Sequence, residues 1–411
     1  MTRKRENLLL AALAGIQFIH IVDFMIMMPL GERLQEIFGI EPAQFALLVA
    51  SYTLTSGVVS FIAAFFIDRL DRKMALIPAF IGLVLGTFAT GFAGSYELLL
   101  AARISTGAFG GLLSGLVLAI IGDVVPNERR GFAMGILMAS FSAAATVGVP
   151  LGLFLAGKWD WHMPFISLGG FGVLALLYAL WAVPNLRGHM GTDGHRPNPL
   201  LSIKHAFTRV NQLKALGLLV FLVLGQFTVI PFIAPYMEAN VQLTKDEVAM
   251  MYFFGGLSTA FSAPLIGRLS DRFGRARVFV GVLLLSLIPL YVVTNMGPMN
   301  PWGVYALAIL FFMLISGRMI PATTMVTSSV PASERGSFMS ISTSFRELAG
   351  ALGTLIAGAI VVKANGAGST YQHFEIVGYI AIAASLVALV IGRTVKIMDE
   401  PQPENESNTN N

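Results

Sequence analysis

Gly267-Arg-Leu-Ser-Asp271-Arg272-Phe-Gly274-Arg275-Ala-Arg277 lies between two long apolar runs. A related stretch, Ala64-Phe-Phe-Ile-Asp68-Arg69-Leu-Asp71-Arg72-Lys73, lies between two others. The central aspartates, Asp68 and Asp271, stand 203 residues apart (271 − 68). A second pair repeats at nearly the same interval: Val125-Pro-Asn-Glu-Arg-Arg-Gly131 and Val330-Pro-Ala-Ser-Glu-Arg-Gly336, offset by 205 (330 − 125). Two independent marks at one spacing divide the chain into two similar halves. In an apolar chain, that is the pattern of a membrane protein assembled from repeats.

Composition supports this class. Hydrophobic residues make up 55% of the 411 and charged residues 12%, about half the charge of a soluble domain. Mean hydropathy is +0.73. The Lys and Arg fall in short loops rather than on one face, which argues against a nucleic-acid footprint. No cysteine is present, so a disulfide framework and a thiolate metal site are excluded. Met1-Thr-Arg-Lys-Arg-Glu resembles the start of a signal peptide, but the apolar stretch behind it is too long, so it reads as a retained first span.

A membrane helix needs about 20 mostly apolar residues. Twelve such runs are expected, near 8–31, 43–66, 74–94, 97–124, 132–157, 164–184, 215–237, 247–267, 278–296, 302–329, 337–362 and 376–395. With the N-terminus inside, twenty Lys and Arg fall on the cytoplasmic side and only Arg33, Lys158, Lys245 and Lys363 on the other. The remaining three, Arg103, Arg318 and Arg346, lie within spans. This asymmetry puts both termini in the cytoplasm. The expected organisation is a six-helix bundle over 1–184, a cytoplasmic linker over 185–213, a second bundle over 214–396 and a disordered polar tail over 397–411. The linker holds His189, His195 and His205, but their spacing is irregular and no carboxylates accompany them, so no metal site is expected there.

These features resemble the major facilitator superfamily over essentially the whole ordered chain. The loop at Gly267–Arg277 matches the family's loop motif nearly letter for letter. The first copy departs from it, with Ala64 and Asp71 where glycines are usual. The resemblance implies an all-α integral membrane fold of twelve helices in two pseudo-symmetric bundles. It also implies alternating access, with Asp68, Arg69, Arg72, Lys73, Asp123, Gly267, Asp271, Arg272, Gly274 and Arg275 latching the cytoplasmic side, and Asp123 as partner of Arg72. Read without the family, glycine permits a tight turn, the bases hold the loop in the cytoplasm, and Asp68 and Asp271 pair with them or cap a helix N-terminus. On that reading the cluster fixes only topology and loop shape.

Ionisable residues inside spans cost about 2.5–3.5 kcal/mol each on insertion scales and are functional candidates. Gln17, His20 and Asp23 recur every three residues and form one polar stripe on span one. Arg103, in span four, lies at similar depth and is the natural partner of Asp23. Arg103-Ile-Ser-Thr-Gly107 with Gly110 and Gly111 resembles the family's span-four motif, which is associated with proton coupling. An Asp beside an Arg that changes burial during a conformational cycle takes up and releases a proton, and His20 is placed to tune or relay it. The alternative is a static pair that packs spans one and four. The corresponding positions of the second half, Thr228 and Ala308, cannot ionise. Arg318 and Glu347 are expected either to pair or to leave Arg318 facing a substrate group.

Span five carries Gly148, Pro150 and Gly152. This loosely resembles the antiporter motif of the family, although Val149 separates the glycine from the proline. Small residues there also suit close helix packing. In this fold the first, fourth, seventh and tenth spans line the cavity. Its expected lining is therefore Gln17, His20, Asp23, Met27, Arg103, Gln226, Phe227, Tyr236, Met313 and Arg318, with Tyr52, Phe345 and Glu347 nearby. Nineteen Met and thirty Phe suit an adaptable apolar cavity.

The expected function is a monomeric proton-coupled antiporter of a bacterial-type inner membrane, exporting a drug-like or other amphipathic small molecule. It needs no cofactor, because the proton gradient supplies the energy. A symporter, or an exporter of sugars, amino acids or organic anions, is the alternative within the class. No phosphate-binding loop and no catalytic constellation is visible, which disfavours an ATP-driven pump and a membrane-embedded enzyme. The repeated loops suit rocking halves better than a fixed channel.

Overall fold

The computed structural model describes residues 3–63, 65, 71–184, 207–330, 335–364 and 370–397. The N-terminal half comprises α1 (Arg3–Met25), a short α2 (Gly31–Phe38), α3 (Pro42–Ala63), α4 (Arg72–Gly91) and α5 (Tyr96–Val124). It continues with α6 (Asn127–Ala143), a π-helical turn (Ala144–Gly148), α7 (Val149–Lys158) and α8 (His162–Ala182). The C-terminal half comprises α9 (Val210–Ala239), α10 (Lys245–Phe273), α11 (Arg275–Asn295), α12 (Pro301–Gly317), α13 (Met319–Thr327), α14 (Arg335–Ile360) and α15 (Phe374–Thr394). Two short strands, β1 (Val362–Lys363) and β2 (Tyr371–Gln372), pair antiparallel between α14 and α15, with Lys363 opposite Tyr371.

Among the described residues, eleven helical segments are long and apolar enough to cross a membrane. The expected twelfth, α14, has 26 residues, but Arg346, Glu347 and a run of Ser and Thr dilute its apolar character. Large side chains such as Trp181, Phe261 and Trp302 project from the helix surfaces, at 70–74% exposure. Such surfaces are stable against lipid rather than water. α9 begins at Val210, inside the stretch expected as linker. Residues 185–206, with the three linker histidines, lie outside the described residues, as does the tail from 398.

Proline accounts for both composite spans. Pro150 has no N–H for the Thr146 carbonyl, and the chain opens into a π-helical turn immediately before it. The disturbance thus lies in the turn before the proline rather than at it. Pro321 likewise has no N–H for the Gly317 carbonyl, and the helix breaks at Arg318.

The halves meet along two seams. α3 lies along α14, and α10 lies against α7 and the π turn. At the second seam the contact is backbone to backbone: a Cβ on Gly256 would come within 2.7 Å of both Ala145 C and Thr146 N. Gly256→Val is therefore expected to push the halves apart at a cost of about 1–3 kcal/mol. A lowered thermal midpoint in detergent, with a smaller drop for Gly256→Ala, checks this. An unchanged midpoint would mean that the seam yields freely.

The apolar core is divided unevenly along the molecule. At the end carrying α2 and the β-hairpin, one continuous cluster unites both halves, with Met27, Leu34 and Phe45 meeting Phe232, Met237 and Phe374. Toward the end carrying Arg3, each half keeps a core of its own. The molecule is thus sealed at the end opposite its termini.

Polar contacts secure that seal. Lys363 Nζ contacts Glu32 Oε1 at 2.6 Å, and the Tyr371 hydroxyl donates to Glu32 Oε2 at 2.5 Å. Gln35 Nε2 donates to the Tyr371 hydroxyl at 2.8 Å. The Asn240 side chain accepts from the Tyr371 N–H and donates to its carbonyl. Glu32 and Gln35 belong to one half, and Lys363, Tyr371 and Asn240 to the other. Burial and the neighbouring Glu32 carboxylate push the Tyr371 hydroxyl well above the usual phenol range. It stays protonated, and this clasp keeps its donor at all physiological pH.

Close by, Asp160 accepts from Arg33, from His162 and from the Trp161 N–H. Its partial burial works to raise the carboxyl, but the His162 and Trp161 hydrogen bonds and the His162 and Arg33 charges together hold it below the usual range. A depressed carboxyl stabilises above its unfolded pKa, about 3.9, and the contribution is lost as pH falls through the lower folded value. Acid titration is therefore expected to loosen this loop only below about pH 4, as followed by Trp161 fluorescence. Loosening well above that pH would overturn this assignment to Asp160.

Candidate functional site

The polar stripe on α1 meets α4 and α5 inside the N-terminal half. Arg103 Nη1 lies 2.9 Å from Asp23 Oδ2, and both side chains are fully buried. The same nitrogen reaches the Asp23 carbonyl at 3.3 Å. The Thr87 hydroxyl donates to Asp23 Oδ1 at 2.9 Å. The carboxylate is thus held between one cation and one hydroxyl. Thr87 is one of two buried threonines in the apolar α4, with Thr90, so no sequence pattern singled it out.

Glycines on α5 explain how the other groups arrive. A Cβ at Gly107 would strike the Tyr52 backbone, and one at Gly111 would strike the Ser56 backbone. The two glycines, one turn apart, let α3 lie directly against α5. This brings the Tyr52 ring to 4.5 Å from Arg103 Cζ, a cation–π contact. His20 stacks on Tyr52 at 6.1 Å between ring centroids, and Phe24 packs on Tyr52 at 5.2 Å and on Phe227 of the other half at 5.9 Å. Beside Gly110 the Tyr52 hydroxyl and His20 Nε2 both lie within 3 Å of where a Cβ would stand. The buried Tyr52 hydroxyl, both His20 ring nitrogens, and Arg103 Nε and Nη2 have no protein partner. Five such atoms in one place form a set of donors and acceptors available to a polar group.

Other expected lining residues are distributed differently. Gln17, Gln226, Phe227, Met313, Phe345 and Glu347 are half-buried. Phe345 stacks edge-on with Phe207, and the Glu347 Cβ borders Gly57 on α3. Met27 is fully buried in the sealed end. The Tyr236 hydroxyl donates to the Met296 carbonyl at 2.7 Å and its ring packs on Phe374, so it serves packing within its own half rather than the cavity. Arg318 does not pair with Glu347. It donates to Ser385 at 2.9 Å and Ser286 at 3.3 Å, which turns it into the bundle of its own half, away from the cavity.

Comparison with known proteins fits this geometry. The family model described as "Major Facilitator Superfamily" matches residues 13–229 and 215–411. The chain belongs to the Major Facilitator Superfamily. It is therefore a multi-pass membrane transporter and not an enzyme. It is 25% identical over 370 residues to the uncharacterized MFS-type transporter YceJ of Bacillus subtilis (strain 168), covering 90% of this chain and 91% of that one. It is 27% identical over 294 residues to a "Multi-drug resistance efflux pump PmrA homolog" of Lactococcus lactis subsp. lactis (strain IL1403), covering 68% and 69%. It is 23% identical over 251 residues to a "Probable sugar efflux transporter" of Helicobacter pylori (strain P12), covering 61% and 62%. The fold resembles the crystal structure of a bacterial homolog of the human lysosomal transporter Spinster, inward-facing and unoccupied. The TM-score is 0.78 at 16% identity, over 96% of this chain and 98% of that one.

Within this major facilitator fold the two loop motifs have different local structures. In the second copy Asp271 lies in the last turn of α10 and caps no helix N-terminus; the turn itself is made by Gly274 at φ +90°. Gly267 has open space on its Cα, and Arg275 donates to Ser328 at 2.7 Å. Arg272 lies over the Phe273 ring. In the first copy Asp71, standing where the second copy has Gly274, caps α4 by accepting from the Lys73 N–H at 2.9 Å. An N-cap replaces a left-handed turn, which accounts for the departure from glycine. Arg72 Nε donates to Asp123 Oδ2 at 2.8 Å, and Lys73 Nζ donates to the Leu180 carbonyl. Asp68 and Arg69 lie outside the described residues. In span five, a Cβ at Gly148 would strike Val22 and one at Gly152 would strike Ile26. Gly148, in the π turn, thus lets that turn pack on α1, the helix that carries Asp23, and Gly152 makes room for Ile26 just beyond the end of α1.

Proposed function

We propose that this major facilitator protein is a proton-coupled antiporter that exports an amphipathic small molecule by alternating access. The observation that carries the reading is the fully buried Asp23–Arg103 pair, supported by Thr87. Protonation of Asp23 would remove the partner of Arg103 Nη1 and free a guanidinium that already has two unpartnered nitrogens. A substrate acceptor group would then compete with the ionised Asp23 for Arg103, which couples proton entry to substrate exit. His20 and the Tyr52 hydroxyl would complete the polar contacts, and Phe24 and Phe227 would take the apolar body of the substrate. The export direction is supported by the relatives described as efflux proteins. No cofactor is invoked, because the proton gradient drives the cycle.

The Lys and Arg asymmetry supports an inner-membrane orientation with both termini cytoplasmic. In that orientation the sealed end faces outward, and the conformation is inward-facing. Residues 1–184 and 214–396 would rock as two bodies joined through the linker, as a monomer. Arg72 with Asp123, and Arg275 with Ser328, would belong to the cytoplasmic latch.

Purified protein in liposomes tests the reading. An imposed pH gradient is expected to drive counterflow of lipophilic compounds, and each transported compound should accelerate proton movement the other way. Substrate flux without proton movement would overturn the coupling. A second reading, export of a sugar, is favoured by the cluster of unpartnered hydroxyl-binding atoms at His20, Tyr52 and Arg103. Its signature is pH-driven flux of sugars and none of lipophilic compounds.

A further inference from the structure

Arg318 stands at the junction of α12 and α13, inside the C-terminal half, and is fully buried. Its hydrogen-bond partners are Ser286 on α11 and Ser385 on α15, helices that pack within their own half. Both hydroxyls have their protons committed: Ser286 donates to the Leu283 carbonyl at 2.6 Å and Ser385 to the Ala381 carbonyl at 2.7 Å. Each therefore offers Arg318 only a lone pair, and both lone pairs serve the same nitrogen, Nη1. Nε and Nη2 have no protein partner. These are the two nitrogens whose N–H bonds run parallel along one side of the guanidinium, the fork that chelates an anion. No Asp or Glu among the described residues lies within ion-pair distance of it.

A guanidinium does not deprotonate in proteins. A buried charge without a counter-charge is strongly destabilising. In the other half the same problem is met by Asp23 against Arg103, but here the chain supplies only neutral groups. Water can satisfy hydrogen bonds but leaves the charge in place.

We propose that Arg318, oriented by Ser286 and Ser385, binds a small monovalent inorganic anion of the halide or nitrate type, which neutralises the interior of the C-terminal half. One positive charge flanked by neutral hydroxyls matches one negative charge; a divalent oxyanion would leave a net charge buried. The site is separate from the Asp23–Arg103 cluster and does not depend on the antiport reading.

The test is the thermal midpoint of the purified full chain in sodium chloride, bromide or nitrate against sodium gluconate at equal ionic strength. The wild type is expected to gain about 2 °C or more from each small anion, with a saturating dependence on its concentration. Arg318→Met should abolish the difference and be less stable than wild type in chloride. Ser385→Ala, which keeps the arginine but loosens its orientation, should shift half-saturation to several-fold higher chloride. A wild type indifferent to all three anions overturns the proposal. So does an equal response in Arg318→Met, which marks a general salt effect, or a variant more stable than wild type in every salt, which marks a charge without a counter-ion. Should Arg318→Met fail to fold, the wild-type titration and Ser385→Ala decide.

Discussion

Asp23→Asn is expected to reduce pH-gradient-driven flux to background while substrate binding persists. Asparagine can keep the Thr87 hydrogen bond but cannot exchange a proton or neutralise Arg103. Removing one partner of a buried ion pair costs about 3–5 kcal/mol, so the single variant should also melt markedly earlier. The two effects can be separated. In Asp23→Asn with Arg103→Gln no charge remains buried, so stability should largely return while gradient-driven flux stays absent. Proteoliposome flux and the thermal midpoint are measured on all three proteins. Gradient-driven flux in the double variant would remove Asp23 from coupling and leave it a packing role. Arg103→Lys is a useful companion, because a lysine keeps the charge but loses the planar contact with Tyr52 and the extra donors.

The second large effect concerns the sealed end. Glu32→Ala removes the partner of both Lys363 Nζ and the Tyr371 hydroxyl, and Lys363→Ala leaves the Glu32 carboxylate without its cation. Hydrogen bonds to charged groups contribute about 1.5–3 kcal/mol each. Every 1.4 kcal/mol is a tenfold change in population, so either variant should raise the open population at this end about tenfold or more. The chain has no cysteine, so a single introduced thiol reports alone. Ala234→Cys sits fully buried in the core that unites the halves. Its maleimide labelling in detergent should accelerate in both variants and slow again in the exchange Glu32→Lys with Lys363→Glu. Labelling unchanged by either alanine variant would mean that the apolar core alone keeps the end shut. Faster labelling without any change in transport would mean that opening this end does not limit the cycle.

The site was partly legible beforehand, and the legible part has a common character. Asp23 and Arg103 could be matched because each is an ion in an apolar run, and helix rise converts sequence position into depth. Arg318 and Glu347 are likewise ionisable residues within spans, and they do not meet. Depth says nothing about direction around the helix axis: Arg318 turns toward Ser286 and Ser385, while Glu347 borders Gly57 on α3. Thr87, Ser286 and Ser385 are hydroxyls scattered among others in apolar helices, a residue type that membrane spans carry for many reasons. The clasp was missed because Glu32 and Lys363 are 331 residues apart and belong to connections rather than spans.

The sequence by itself determined the class, the two related halves and the rough limits of most spans. These follow from length, hydropathy and charge counted along the chain, and bilayer thickness turns such counts directly into structure. Only the tertiary structure decided which faces meet, which end is sealed, and where each buried charge finds or lacks a partner. A helix that is apolar all round carries no stripe to mark its inner face. Its rotation is set by small residues such as Gly107, Gly111 and Gly256 yielding to a neighbour's backbone, and that fit exists only once the helices are side by side.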